Sequence, residues 1–506
     1  MPLLLGLDIG TTSTIGILID ESGATVAMTS RPSILHSDHA NWSEEDPEQW
    51  WSNSCAIVGD LLAKSGRAAG EIAGIGVTGM LPAVVLLDAD GRLLRRGMLQ
   101  NDARAIAEID AMKRAIDGAD FFRRTGGSIN QQLVAPKLRW IERHEPQIFA
   151  RIATVFGSYD YITWRLTDVR SIEQNWALES GLVDISCGRF DPELVALAGV
   201  APDRLPPIRA SQEIVGKVTA AAATATGLRE GTPVVAGCAD LVASAFLAGA
   251  VADGDMVLKF GGSGDILLAV AKPLTDPRLY IDHHLVPGLW FSNGCMAASG
   301  SLLNWIVREW AGGEAAKAAA AGLSVHAWLD RLAAPTPAGA DGLVLLPYVL
   351  GEKTPLHDPH ARGTLIGLGL HHRLANVWRA ALEGVAFGFR HHVDVFRERG
   401  AEMRRIVACD GGAASDLWLQ ICADVLDRPV QRLRRHPGSC LGAAYVAGVG
   451  VGLFRDWQGV ARYVEPGEIF TPDPARVAVY DRAYAVFRET YERLKTLYPR
   501  LAFDAS

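Results

Sequence analysis

Blocks of apolar residues lay out strands from the first residues of the chain. Leu3-Leu4-Leu5-Gly6-Leu7-Asp8-Ile9 is apolar almost without break, the pattern of a strand covered on both faces. Gly10-Thr11-Thr12-Ser13 interrupts it and a second apolar run reaches Asp20, so the opening predicts strand, tight turn, strand. Gly10 permits a turn that a side chain would block. The hydroxyls and amides of Thr11, Thr12 and Ser13 can face an anion there. Asp8, at the end of a buried strand, can hold a divalent cation through water. The segment predicts a phosphate-and-metal hairpin with ATP as the first ligand to test. An ordinary hairpin with a glycine turn is the alternative.

A third apolar run follows. Asn41 to Glu48 then reads as a capped helix start, with Ser43 or Asp46 as the cap and a helix from Glu48 to about Lys64. Ile72 to Gly79 contains GxGxxG, yet Met80-Leu81-Pro82 and a further apolar run follow it rather than a helix. That excludes a dinucleotide site and favours a buried strand leading into a hairpin. Gly216-Lys217 lacks the spaced leading glycine of a Walker A loop. Residues 105 to 210 read as mixed helix with short loops, Pro136 near a helix start and Pro192 to Pro207 as a loop-rich excursion. Val234 to Ala245 reads as a buried strand ending in Asp240, then a helix of small residues. Val257 to Val270 repeats the opening plan around Gly261-Gly262-Ser263-Gly264, so two related domains facing one ligand are expected. Ala311 to Ala340 reads as a helix and a mobile Pro335/Pro337 linker. Asn376 is expected to cap a long apolar helix. Arg405 to Asp416 reads as strand, glycine turn and helix start, where backbone can approach a flat or anionic ligand. Gly442-Ala443-Ala444 suits a closely packed helix.

Length narrows this to about two to four domains. A hydrophobic share of 49%, a charged share of 21% and a net charge of -8 fit a globular enzyme and disfavour nucleic acid or an anionic membrane surface as partner. Seven scattered cysteines without CxxC argue against a disulfide framework or zinc site and for a reducing cytoplasm. Neither a signal peptide nor a membrane span is expected.

The chain resembles the FGGY family of carbohydrate kinases, nearest its xylulokinase-like branch, over nearly its whole length. Gly363-Thr364-Leu365-Ile366-Gly367-Leu368 through Asn376-Val377-Trp378-Arg379-Ala380-Ala381-Leu382-Glu383 matches the long C-terminal signature, and Trp42 to Trp51 is also similar. In the other signature Lys137 to Ile141 fits and Gln132-Leu133-Val134 departs. The resemblance implies an α/β fold of two ribonuclease-H-like domains of the actin/sugar-kinase/Hsp70 type, residues 1–248 with the sugar site and 249–506 with the nucleotide site, and a cleft that closes on sugar. It implies ATP with Mg2+, held at Asp8 and Asp240. Phosphate contacts are implied at Gly10, Thr11, Thr12 and Ser13, and at Gly261, Gly262, Ser263 and Gly264. Adenosine is implied on Gly411, Gly412 and Ala413, with Gly300 and Asn304 near the base or ribose. Asp240 matches the catalytic base, which takes the proton of the sugar hydroxyl as the new bond forms; its plain alternative is a helix cap. Met80, Leu81, Asn101, Asp102 and Trp42 match the sugar side, with Trp42 alternatively a packing aromatic and Arg104 structural. Three residues depart from the family pattern. Gly262 replaces Thr, and Leu81 and Leu241 replace polar sugar contacts, which weakens a substrate that needs those hydrogen bonds. A ketopentose such as xylulose is thus one expected acceptor. Another polyol or a deoxy sugar is the alternative, and a non-catalytic sugar- and ATP-binding protein a third. A homodimer is the assembly expected.

Overall fold

Every residue of Leu3–Ile9 is buried, as a strand covered on both faces requires. In the computed structural model, which describes residues 1–39 and 41–501, this strand (β1) lies inside a sheet. Its companions are Ser13–Asp20 (β2), Thr25–Pro32 (β3), Ile72–Gly79 (β4), Ile214–Lys217 (β5), Pro233–Val235 (β6) and Cys238–Ala239 (β7). The order is β5-β6-β4-β1-β2-β3, with β7 paired to β4. β1, β6 and β7 all run parallel to β4, whereas the β1/β2, β2/β3 and β5/β6 pairs are antiparallel. The helices Pro47–Ser65 (α1), Val134–His144 (α2), Ser158–Thr167 (α3) and Asp240–Leu247 (α4) belong to the same unit. Asp46 caps α1 by accepting the Glu48 N–H, and Pro47 sits at its first position, where a missing N–H costs nothing.

The chain divides into two units: Met1–Val251 with Ile281–Trp290 and Pro437–Tyr463, and Ala252–Tyr280 with Phe291–His436 and the residues from Val464 onward. The first break falls close to residue 248. A single cut there does not capture the two later stretches that return to the first unit.

The second unit repeats most of the plan of the first. Asp255–Phe260 (β8), Gly264–Val270 (β9), Trp290–Met296 (β10), Arg405–Cys409 (β11), Val430–Leu433 (β12) and Pro466–Phe470 (β13) run in the order β13-β12-β11-β8-β9-β10. β8/β9 is an antiparallel hairpin like β1/β2, β8/β11 and β11/β12 are parallel like β1/β4 and β4/β6, and β12/β13 is antiparallel like β5/β6. Of the helices of this unit, Leu374–Glu398 (α7) and Asp416–Leu426 (α8) pack on the sheet, and Gly300–Trp310 (α5) and Val325–Ala333 (α6) pack on α7.

The helix Ser439–Gly450 (α9) belongs to the first unit and covers β1 and β4. It lies so close that a Cβ built on Gly6 would stand 2.2 Å from the Cys440 carbonyl oxygen, and one on Gly76 2.1 Å from that of Ala443. Gly74 and Gly76 of the GxGxxG stretch thus admit a helix against a strand. Gly442 in turn faces Ala243 of α4.

Local departures from the sequence reading have simple causes. The stretch from Pro192 is a helix, Pro192–Ala198, because Asp191 caps it and Gly199 ends it in a left-handed conformation. Residues 311–340 hold two helices, Ala315–Ala320 and α6, the second capped by Ser324. Asn376 sits inside α7, three residues past the cap Arg373, and its side-chain oxygen accepts the Arg373 N–H. Among the described residues no helix is long and apolar enough to cross a membrane.

Candidate active site

Parallel strands bring their carboxyl ends to one edge, the place where open α/β sheets take ligands. In the first unit Gly79 pairs with Ile9 on one side and Ala239 on the other, so β1, β4 and β7 end side by side. The residues that follow are Gly10-Thr11-Thr12-Ser13, Met80-Leu81 and Asp240-Leu241. The topology thus collects segments 70 and 160 residues apart in sequence that the sequence reading treats as separate motifs.

Gly10 donates its N–H to the Ser13 carbonyl at 3.1 Å, closing the turn. Thr12 is exposed, while Thr11 and Ser13 are half-buried. The Thr11 hydroxyl leans on Met80 Sδ at 3.6 Å, and Met80 donates its N–H to the Ile9 carbonyl, so the turn and the β4 loop brace each other. Asp8 is buried, and the Ser439 hydroxyl at the start of α9 donates to its Oδ2. Asp240 is the first residue of α4 and half-buried; the cap position is Ala239, so Asp240 is not the helix cap. Its Oδ1 accepts the Leu241 N–H at 2.6 Å. Burial pushes the nearby Cys238 thiol up, and negative charge on Glu173, Asp8 and Asp240 adds to this. Asp8 and Asp240 offer carboxylate oxygens, the hard donor type that could hold a magnesium ion.

The sugar-side candidates differ in what already occupies them. Met80 and Leu81 are 2% and 4% exposed, and Leu241 is half-buried. Asn101 is exposed. Asp102 is buried and engaged: it accepts the Ser43 N–H at 2.7 Å and Arg104 Nη2 at 2.6 Å. Arg104 lies 3.6 Å over the Trp42 ring, which also meets Trp140 edge-on. Trp42, Asp102 and Arg104 thus form one packed cluster, with Lys137 donating to the Leu99 carbonyl beneath it. Burial lowers that ammonium to about 7, opposed by the charge on Asp102.

In the second unit β8 and β11 are parallel neighbours with Lys259 beside Cys409, so Gly261 and Gly411 follow adjacent strand ends. Gly300 and Ser299 donate their N–H groups to the carbonyls of Gly261 and Gly262, which seats the α5 N-terminus on the glycine turn. Here lies a cavity of about 510 Å³, lined by Gly261, Gly262, Gly300, Asn304, Gly411 and Gly412 among others. Ser263 and Gly264 are not among its lining residues, and Ala413 is buried while Ala414 faces the cavity. Gly412 has no room for a side chain, since a Cβ would stand 2.5 Å from the Trp418 ring and 2.7 Å from Phe260 Cβ. The sequence reading assigned no ligand role to Phe260, His326, Asp330, Trp378 or Trp418, which also line the space. They come from four further elements, and only the aromatic residues of α7 and α8 could have hinted at a flat ligand. The His326 Nε2 lies 2.9 Å from Asn304 Oδ1, and Asp330 accepts the Trp378 indole N–H at 2.7 Å. Burial raises the Asp330 carboxyl, against hydrogen bonds from Trp378 and Ser415. Apolar walls with a few polar groups suit a purine nucleoside.

Comparison with known proteins matches two family domains along the chain. The N-terminal domain of the FGGY family of carbohydrate kinases matches residues 3–247, and the C-terminal domain residues 266–451. The chain is 30% identical to the xylulose kinase of Bacillus subtilis strain 168, over 98% of each protein. It is 28% identical to the L-xylulose/3-keto-L-gulonate kinase of Escherichia coli K12, again over 98% of each. The crystal structure of a xylulose kinase from Rhodospirillum rubrum superposes with a TM-score of 0.92 at 50% identity, covering 98% of this chain and 99% of that one. A doubled strand plan, acids at parallel strand ends and both family domains converge: the chain belongs to the FGGY family of carbohydrate kinases, phosphotransferases with an alcohol group as acceptor.

Proposed function

We propose that this protein transfers the γ-phosphate of ATP to a hydroxyl of a ketopentose of the xylulose type, with Asp240 as the base. The observation that carries the reading is the placement of Asp240 at a parallel strand end beside the Asp8 strand end and the Gly10–Ser13 turn. In the reaction the acceptor oxygen bonds to the γ-phosphorus as the bond to the bridging oxygen of ADP breaks, and the hydroxyl proton passes to the Asp240 carboxylate. Asp8, steadied by Ser439, and Asp240 would hold Mg2+, which neutralises phosphate charge when bound. Thr11, Thr12 and Ser13 would hold phosphate oxygens, as would the backbone of Gly261 to Gly264. The second-unit cavity would take adenosine, with Asn304 and His326 on its polar side. A reducing cytosol as the working compartment accords with seven cysteines that are all free thiols.

A second reading is favoured by one observation. Leu81 is buried and Leu241 half-buried directly after β4 and β7, so apolar groups adjoin the base. That wall suits a polyol or deoxy sugar with fewer hydroxyl groups to satisfy.

ADP release measured over ketoses, polyols and deoxy sugars tests both. One sugar is expected to stimulate the wild type, and Asp240→Asn is expected to lower kcat by about 10²- to 10⁴-fold with ATP binding retained. Full turnover in Asp240→Asn removes Asp240 from the mechanism. Stimulation by deoxy sugars alone selects the second reading. ATP binding without turnover on any sugar selects a non-catalytic binding protein.

A further inference from the structure

Next to the glycine turn of the second unit lies a group of side chains that the phosphoryl-transfer reading does not use. β11 ends on Cys409, the chain turns through Asp410 with a left-handed φ of 70°, and His436 returns to the same place after β12. Asp410 Oδ1 and His436 Nδ1 stand 3.9 Å apart. One ligand atom from each of Cys409, Asp410 and His436 lies within 4.8 Å of the other two. Cys409 is sealed from solvent, whereas Asp410 and His436 are partly open, so an ion can enter from their side. All three belong to one unit.

We propose that Cys409, Asp410 and His436 form a site for a borderline-soft divalent cation of the zinc class, distinct from the hard-cation position at Asp8. A thiolate, an imidazole and a carboxylate are the donors zinc selects, and magnesium, which demands oxygen, does not compete for sulfur. Metal–ligand bonds of about 2.0–2.3 Å set ligand atoms roughly 3.3–3.7 Å apart, so side-chain rotations of about 1 Å close the present spacing. Charge near the thiol is mixed: burial and the carboxylate of Asp410 raise the Cys409 thiol, the ammonium of Lys259 opposes them, and Asp265 adds to the rise. Lys259 faces Asp265 directly across the β8/β9 pair. The Cys409 thiol is hydrogen-bonded to Asp410. On metal binding the S–H bond breaks, sulfur bonds to the ion, and the proton leaves to solvent.

Three protein ligands leave a fourth position for water or a ligand oxygen. Asp410 is followed by Gly411 and Gly412, both of which line the cavity, so a filled site would pin that wall. A second histidine group lacks these properties. Asp341, His371 and His372 lie on the surface, and both ring nitrogens of His372 are already engaged, with the Gly369 N–H and the Asp341 carbonyl.

Cobalt(II) titration of the whole, metal-stripped protein tests the site. A thiolate charge-transfer band in the near ultraviolet with strong visible d–d bands is expected, displaced by Zn2+ and not by excess Mg2+. The band is expected to persist in Cys295→Ser and in Asp341→Asn and to vanish in Cys409→Ser. His436→Ala, whose side chain is partly open and whose folding is checked by circular dichroism, is expected to weaken binding about 10-fold or more. If Cys409→Ser does not fold, His436→Ala alone decides. A wild type without the band, a band that survives Cys409→Ser, or a His436→Ala titration that overlays the wild type overturns the proposal.

Discussion

Asp8 illustrates how much of the site is set by a single hydroxyl. Its carboxylate is buried at a strand end, and Ser439 donates to it from the first turn of a helix more than 400 residues later. Removing that donor takes away one fixed contact of the carboxylate that the proposed function gives to Mg2+. Ser439→Ala is expected to raise the Mg2+ concentration for half-maximal rate by about 10-fold, as outer ligands of metal sites do, with the KM for sugar nearly unchanged; Mg2+ titration of the initial rate reads this. Glu352 makes a different point. Burial raises its carboxyl from the ordinary 4.5 to about 8, although Oε1 accepts the N–H groups of Ala297 and Lys353. A carboxyl whose folded pKa lies above its unfolded one contributes stability that is complete below the unfolded value and is lost as pH rises through the folded value. The window here is pH 4.5 to about 8. Glu352→Gln keeps the acceptor and removes the titration, so the drop in Tm between pH 5 and pH 8 is expected to shrink by roughly 5 °C. An unchanged pH profile in calorimetry would assign the loss of stability elsewhere.

Helices and strands carry the next set of constraints. α9 meets β1 and β4 through Gly6 and Gly76 with no space for a methyl group. Backbone cannot move aside as a side-chain tip can, so Gly76→Ala is expected to cost about 3 kcal/mol or more, measured as a lower urea midpoint. The wall of the second-unit cavity, proposed above for the nucleotide, follows the same rule. Gly412→Ala would push Trp418 or Phe260 into the cavity, and the expected outcome is an ATP KM raised about 10-fold with a smaller effect on kcat. The strands and turns at these places were legible in the sequence, because a fully buried strand has to be apolar at consecutive positions and a tight turn has to carry glycine. What lay beyond reach was the partner of each glycine. Gly74-Ile75-Gly76 states that something approaches closely, and nothing in those residues names a helix beginning at Ser439. Asp102 shows the same limit. Its sequence context marks a polar loop, but only packing reveals that Ser43 and Arg104 already occupy its carboxylate.

Duplication organises the fold. The order β5-β6-β4-β1-β2-β3 and the order β13-β12-β11-β8-β9-β10 agree in the direction of each pair from β5/β6 through β1/β2 and from β13/β12 through β8/β9. The two glycine hairpins near residues 10 and 262 announced this in the sequence. The rest of the cavity wall did not announce itself: His326, Trp378 and Trp418 converge from separate helices, and convergence of distant segments leaves no local pattern to read.

The place of α9 in the chain has a consequence for how the protein is made. Translation delivers β1 and β4 within the first 79 residues, yet the helix that covers them emerges only after residue 439. For most of its synthesis the nascent first half carries an apolar sheet face with no lid. A chaperone or the ribosome surface must shield that face, or its folding must wait for the end of the message. A product truncated after residue 251 is therefore expected to aggregate when expressed alone and to become more soluble when a separate segment 437–463 is co-expressed with it, since that segment carries the helix that covers β1 and β4. A soluble, cooperatively melting 1–251 fragment would show instead that the sheet closes without its late helix. In the first case, a ribosome stalled anywhere in the intervening stretch leaves behind an unfinished core, and the cell's quality control meets this enzyme as a client before it is ever a catalyst.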